Sequence, residues 1–159
     1  MSQRTFLVDT NVLLCALIAP ERLSADTQAQ LVDAENMVYF SAASVWEIAI
    51  KRSMGKANFD FLPDDIYRLA IETGFTQLPI DARHTYAVAN MAWHHRDPFD
   101  RLLIAQAVSL PAYFMTGDSA LAPYSEIFFS ISAKPIWSAL RRIGTTRPRG
   151  EPTAMPTSK

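Results

Sequence analysis

Asp9, Glu47, Asp100 and Asp118 each stand among apolar residues. An acid in such a setting needs hydrogen-bond donors, a cation or a metal to stay ionised. Asp9 closes the run Thr5-Phe-Leu-Val-Asp, and Asp118 closes Ala112-Tyr-Phe-Met-Thr-Gly-Asp. Glu47 is the one charge in Ala42-Ala-Ser-Val-Trp-Glu-Ile-Ala-Ile, and Asp100 opens onto Leu102-Leu-Ile-Ala. No matching set of cations accompanies all four, so together they point to a divalent-metal site. Oxygen ligands without His or Cys favour Mg²⁺ or Mn²⁺. His84, His94 and His95 lack the helical i,i+4 zinc spacing around a Glu, and Cys15 is the single cysteine, which argues against zinc.

Each acid also has an ordinary structural role open to it. Asp9 can cap a helix beginning at Thr10. Glu47 can pair with Lys51 at i,i+4, worth ~0.3 kcal/mol. In Asp97-Pro98-Phe99-Asp100 the first acid fits N-cap, proline fits N1 and Asp100 fits N3. That assigns Asp97 to capping or to support behind the ligands, and Asp100 to metal. Asp118 follows Gly117 and can be a turn residue. Thr116 is either a hydrogen-bond partner for neighbouring carboxylates or a plain strand residue. Lys51, Arg52, Arg96 and Arg101 flank the acids. They form solvated helix faces or contacts to a phosphodiester backbone, and the adjacent His94 and His95 have the same two readings.

The elements needed to position these groups follow from patterning. Residues 4–8 read as a short buried strand, 10–18 as an apolar helix broken at Pro20, and 24–35 as a more polar helix. A second buried strand spans 37–40, and Ser41 caps a helix to about Met54, with Gly55 as its stop. After a loop at 58–63, a helix at 64–73 ends at Gly74. A strand at 75–80 precedes a helix capped by Asp81 and running to about Trp93. The link His94-His-Arg-Asp97 leads to a helix from Pro98 to near Leu110, then a strand at 112–116 and a turn at Gly117-Asp118. A last strand is expected at 127–131, and a helix or single turn at 135–143. Strands alternating with helices predict an α/β domain with a mainly parallel sheet. Its ligands collect beyond the carboxyl ends of the strands, where Asp9 and Asp118 fall.

At 159 residues the chain is long enough for one full hydrophobic core. A composition of 49% hydrophobic and 19% charged residues is that of a soluble globular protein. The net charge of −1 gives no global attraction for nucleic acid, so polyanion binding must come from local patches or bound metal. Cys15, in an apolar run, reads as a small core residue compatible with a reducing cytoplasm. No segment is long and apolar enough to span a membrane or serve as a signal peptide. Residues 144–159, poor in apolar side chains and rich in proline, read as a mobile tail after a domain at 1–143.

In this order the motifs resemble the PIN-domain ribonucleases, and among them the VapC toxins of bacterial toxin–antitoxin pairs. The matching segments are Leu7-Val-Asp-Thr-Asn11, Ser44-Val-Trp-Glu-Ile-Ala-Ile-Lys51, Asp97-Pro-Phe-Asp-Arg-Leu-Leu-Ile-Ala-Gln106 and Thr116-Gly-Asp118. Met54-Gly-Lys56 and Leu78-Pro-Ile-Asp81 look like the same subgroup, and the resemblance covers residues 4–138. It implies a three-layer α/β/α sandwich in which Asp9, Glu47, Asp100 and Asp118 bind one or two Mg²⁺ or Mn²⁺ ions, accompanied by Asn11 and Thr116. It also implies RNA cleavage by metal-activated water, leaving a 5′-phosphate and a 3′-hydroxyl. The partners it implies are an RNA substrate, a small antitoxin bound around 12–18 and 23–31, and a second copy of the chain, with antitoxin and toxin able to form a hetero-oligomer. The apolar residues of those two stretches can equally be plain core.

Two other classes compete. A haloacid-dehalogenase-type phosphotransferase also begins with a strand-terminal Asp, but needs a second Asp where this chain has Asn11. A non-catalytic PIN-like module would bind RNA or a partner without cutting, and the intact acidic set argues against it.

Overall fold

The computed structural model describes residues 3–55, 60–91 and 97–117, together with the backbone of a strand at 128–130. The expected helix or turn at 135–143 and the tail at 144–159 lie outside the described residues, as does the division between them.

The chain opens with β1 (Thr5–Val8), whose last three residues are fully enclosed. Asp9 then turns the backbone into α1 (Thr10–Ile18), accepting the Val12 N–H on its side chain. Pro20–Arg22 form a short 3-10 turn that the sequence pattern did not announce. Helix α2 (Ala25–Val32) starts at the Ser24 cap and stops short of the expected Glu35. The reason is local: the Asp33 side chain accepts the Glu35 N–H at 2.9 Å, offering the backbone an alternative to another helical turn.

Strand β2 (Met37–Ser41) runs straight into α3 (Ala42–Ser53), and Ser41 serves both, ending the strand and capping the helix through the Ala43 N–H. Gly55, at φ +63°, lies just past its end. Pro63 opens α4 (Pro63–Thr73), rather than closing the preceding loop, because a proline at the first helical position sacrifices no hydrogen bond. Gly74, at φ +98°, ends it in the left-handed region that favours glycine. The Phe75 N–H then bonds back to the Ala70 carbonyl. With that donor spent, and with no N–H on Pro79, β3 shrinks to Thr76–Leu78.

Helix α5 (Ala82–Ala89) ends four residues before the expected Trp93. Its capping box joins Asp81 and His84, so His84 is a buried cap partner whose Nδ1 accepts the Asp81 N–H at 3.0 Å. Helix α6 (Pro98–Ser109), capped by Asp97, leads to β4 (Tyr113–Thr116), and β5 (Phe128–Ser130) completes the sheet.

All neighbouring strands are parallel, in the order β3-β2-β1-β4-β5. Alternation along β1 divides the core in two. Phe6 and Val8 pack with Val12, Leu13, Ile48 and Ile66 on one face. Leu7 packs with Ala43, Leu103, Ile104 and Ala107 on the other. Helices α1, α2 and α4 thus cover one side and α6 the other, which is the three-layer arrangement. Val8 registers with Phe40 and with Met115, so Asp9, Ser41 and Thr116 sit along one edge of the sheet. The chain leaves β1 in one direction and returns on its other side as β4. Asp9 and Thr116 therefore stand at the reversal of strand order, where α/β sheets open a crevice. Among the described residues no helix is long and apolar enough to cross a membrane.

Candidate acidic site

Asp9 is held from several directions. Its Oδ1 accepts the Val12 N–H at 2.7 Å, and its own N–H donates to the Met115 carbonyl at 3.0 Å. The Thr116 side chain also hydrogen-bonds its carboxylate. Burial still dominates, pushing the carboxyl from its ordinary 3.8 up to about 7, and the charges of Asp100 and Glu47 push the same way. Three acids from β1, α3 and α6 therefore share one electrostatic neighbourhood at the carboxyl edge of the sheet.

Glu47 reaches that edge with two supports. Thr10 Oγ1 donates to Glu47 Oε1 at 2.7 Å and lies 3.0 Å from the buried Ser44 hydroxyl. Lys51, one turn along α3, places Nζ 2.8 Å from Glu47 Oε2. Glu47 thus has a cation already, the i,i+4 partner that the sequence allowed. Lys51 is accordingly turned to the acid, its side chain 30% exposed.

Asp100 lies half-buried in the first turn of α6. Asp97 fixes that turn, its Oδ1 accepting the Phe99 N–H at 2.9 Å and the Asp100 N–H at 3.3 Å. Asp97 Oδ1 thus serves the backbone of that turn. Asn11, half-buried, sits in the first turn of α1 beside Asp9. Asp118, His94, His95 and Arg96 lie outside the described residues.

Arg101, which the sequence offers for substrate contact or for support behind the ligands, joins two helices. It is buried, and its guanidinium donates to the Val88 carbonyl at 3.0 Å and stands 3.5 Å from that of Met91. These are carbonyls at the end of α5, so the side chain ties α5 to α6 and faces away from solvent.

Sequence reasoning missed a second polar layer. Besides Thr10 and Ser44, Ser41 Oγ donates to Gln106 Oε1, and Gln106 Nε2 donates to the Pro79 carbonyl at 3.2 Å. This links the starts of α3 and α5 to the middle of α6. The available signal was a lone glutamine inside an apolar helix.

The donors suit a hard divalent cation, being carboxylate oxygens, and the charges of Asp100 and Glu47 add to the larger effect of burial in raising Asp9. Among the described residues no group of three or more His, Cys, Asp or Glu is gathered closely enough to hold an ion alone.

Residues 6–126 match the family described as PIN domain. No curated protein matches the chain. Among solved structures, the fold is similar to VapBC2 from Rickettsia felis bound to a DNA fragment from their promoter, with TM-score 0.61 and 12% identity over 80% of this chain and 98% of that one. It is similar to VapBC-1 from nontypeable Haemophilus influenzae, with TM-score 0.53, 16% identity, and 78% and 94% of the two chains covered. FitAcB from Neisseria gonorrhoeae gives TM-score 0.54 and 18% identity, covering 79% and 96%.

Proposed function

The chain belongs to the PIN domain family, and from that premise we propose that it is a nuclease toxin of the VapC kind, a Mg²⁺- or Mn²⁺-dependent endoribonuclease. The observation that carries the reading is the placement of buried Asp9 at the strand-order reversal, with the adjacent Thr10 reaching Glu47 and Asp97 capping the turn that carries Asp100. Asp118, two residues beyond Thr116 in the chain, is the proposed fourth acid.

When bound, a divalent ion supplies a more acidic water and neutralises charge on the attacked phosphate. The chain's own residues prepare the place. Asp9 is fixed by the Val12 N–H and by Thr116, which together hold its carboxylate in place. Thr10 and Lys51 hold the two oxygens of Glu47. Asp97 fixes the backbone from which Asp100 projects. No nucleophilic side chain is required, and the products are a 5′-phosphate and a 3′-hydroxyl.

The proposed partners are a small antitoxin that blocks the acidic crevice, a second copy of the chain, and RNA, in a cytoplasmic setting. The likeness in fold to VapBC assemblies supports the antitoxin. The test is incubation of purified protein with structured RNAs, with Mg²⁺ or Mn²⁺ and with chelator. Cutting that needs metal and disappears in Asp9→Ala and Asp100→Ala is the expected result. Binding without cutting by wild type and variants alike would instead identify a non-catalytic module.

A further inference from the structure

Gln106 is fully buried in α6, and both polar atoms of its side chain are engaged. Its Oε1 accepts the Ser41 hydroxyl proton, and its Nε2 donates to the Pro79 carbonyl at 3.2 Å. Nε2 also stands 3.5 Å from Nδ1 of buried His84, the nitrogen that accepts the Asp81 N–H. Ser41 in turn accepts the Ala43 N–H at 3.0 Å. The two backbone groups at the ends fix the polarity of this series. An N–H only donates and a carbonyl only accepts, so the hydroxyl points its proton at Oε1 and the amide turns Nε2 to Pro79. An ionised carboxylate in its place would set an oxygen against the Pro79 carbonyl. An apolar side chain would take away the acceptor of the buried Ser41 hydroxyl.

Ser41 caps α3 and Gln106 belongs to α6, so this bond joins the two helices that carry Glu47 and Asp100. The same helices touch again where Trp46 meets Phe99, with ring centroids 5.0 Å apart. From one contact to the other the numbering rises along α3 and falls along α6, so the helices pass in opposite directions. Glu47 lies six residues after Ser41 and Asp100 six residues before Gln106, about 9 Å along a helix axis. Both acids are therefore sequence neighbours of the ring contact, and the buried bond anchors the other end of the seam. Aromatic pairs tolerate centroid separations of about 4.5–7 Å, whereas an N–H···O or O–H···O bond confines its heavy atoms to about 2.5–3.2 Å. The amide is the stricter of the two contacts.

We propose that Gln106 is a positioning residue: its bond to Ser41 sets α3 against α6 and so fixes the separation of Glu47 from Asp100, without touching metal or RNA. The inference rests on the nuclease reading and adds to it the part of the core that holds two of its acids at one spacing.

The experiment uses the full chain and Gln106→Met, which keeps an unbranched side chain and removes both hydrogen bonds. Four quantities are measured: Mn²⁺ affinity by electron paramagnetic resonance, cleavage of structured RNA, thermal unfolding, and Trp46 emission. Trp46→Phe in each background supplies the spectral blank, since Trp93 and Trp137 remain. Ile66→Ala, in the apolar layer on the other face of the sheet, is the control for lost stability alone. Gln106→Met should weaken Mn²⁺ binding and lower kcat roughly 10- to 100-fold, with KM nearly constant and Trp46 emission shifted. Ile66→Ala should lower Tm and leave Mn²⁺ affinity and Trp46 emission as in wild type. Ser41→Ala cuts the same bond from the α3 side and keeps the test open if Gln106→Met does not fold. It should lose Mn²⁺ affinity to a similar degree, and the double variant little more. Wild-type Mn²⁺ affinity and kcat in these variants overturn the proposal and leave a nuclease in place. If the wild-type protein binds no Mn²⁺ and cuts no RNA, the nuclease reading fails. A shifted Trp46 signal then still supports the hold of Gln106 on the α3–α6 seam, and an unshifted one overturns it.

Discussion

Asp9 is enclosed, yet its carboxyl is raised only to about 7, because Val12 and Thr116 offset part of the burial cost. Between pH 4 and 7 the folded chain keeps a proton that the unfolded chain has lost. Folding stability from this group is therefore complete below its ordinary value of 3.8 and declines as pH rises to about 7. The total is on the order of a few kcal/mol. Asp9→Asn preserves an acceptor for the Val12 N–H and removes the charge. Urea unfolding in chelator should show the variant more stable than wild type at pH 8, with the gap closing towards pH 4; a pH-independent difference would sink this account. Thr10 gives a second test. Thr10→Val deletes the donor to Glu47 and should cost about 1–2 kcal/mol in unfolding, whereas Thr10→Ser should cost less. Cleavage should fall with it, since Glu47 then keeps only Lys51, a partly exposed pair worth under about 1 kcal/mol.

Helix starts aim this site. Asp97→Ala removes the cap of α6 and should destabilise by about 1 kcal/mol. It should also lower cleavage more than its stability loss explains, because Asp100 occupies the turn that the cap fixes. Asp97→Asn should retain both properties, and thermal unfolding beside initial cleavage rates decides it. The start of α1 was legible in the sequence for the same reason: a buried apolar strand, a capping Asp and an apolar helix announce themselves within a dozen residues. The Glu47–Lys51 pair was equally readable, being one helical turn apart. What could not be read depended on distance along the chain. Thr10 meets Ser44 and Glu47 across 34 and 37 residues, and Ser41 meets Gln106 across 65. Arg101 looked like a surface cation because its partners are carbonyls at the end of another helix, which no charge pattern reveals. Strand β3 and helix α2 were overextended because local bonds at Phe75 and Asp33 compete with propensity.

For the molecule as a whole, one parallel sheet joins two apolar layers, and the acids sit where those layers part. A cation that binds only the folded chain should stabilise all of it, by about 2.7 kcal/mol at a hundredfold excess over Kd. Calorimetry should therefore show Mg²⁺ or Mn²⁺ raising Tm by roughly 5–10 °C at neutral pH, with much smaller shifts in Asp9→Asn and Asp100→Asn. Equal shifts in all three proteins would place the ion elsewhere. The central strand also has a consequence for biosynthesis. Strand β1 is the first to leave the ribosome, but the Met115 carbonyl that receives the Asp9 N–H is translated 106 residues later. At about 5–20 residues per second, that is a delay of roughly 5–20 s. Through that interval the nascent polypeptide has made Asp9 and Glu47 but not the neighbour that closes the sheet around them. A ribosome stalled before Tyr113 therefore carries a chain whose Asp9 N–H still lacks its Met115 partner and whose β1 still lacks its β4 neighbour.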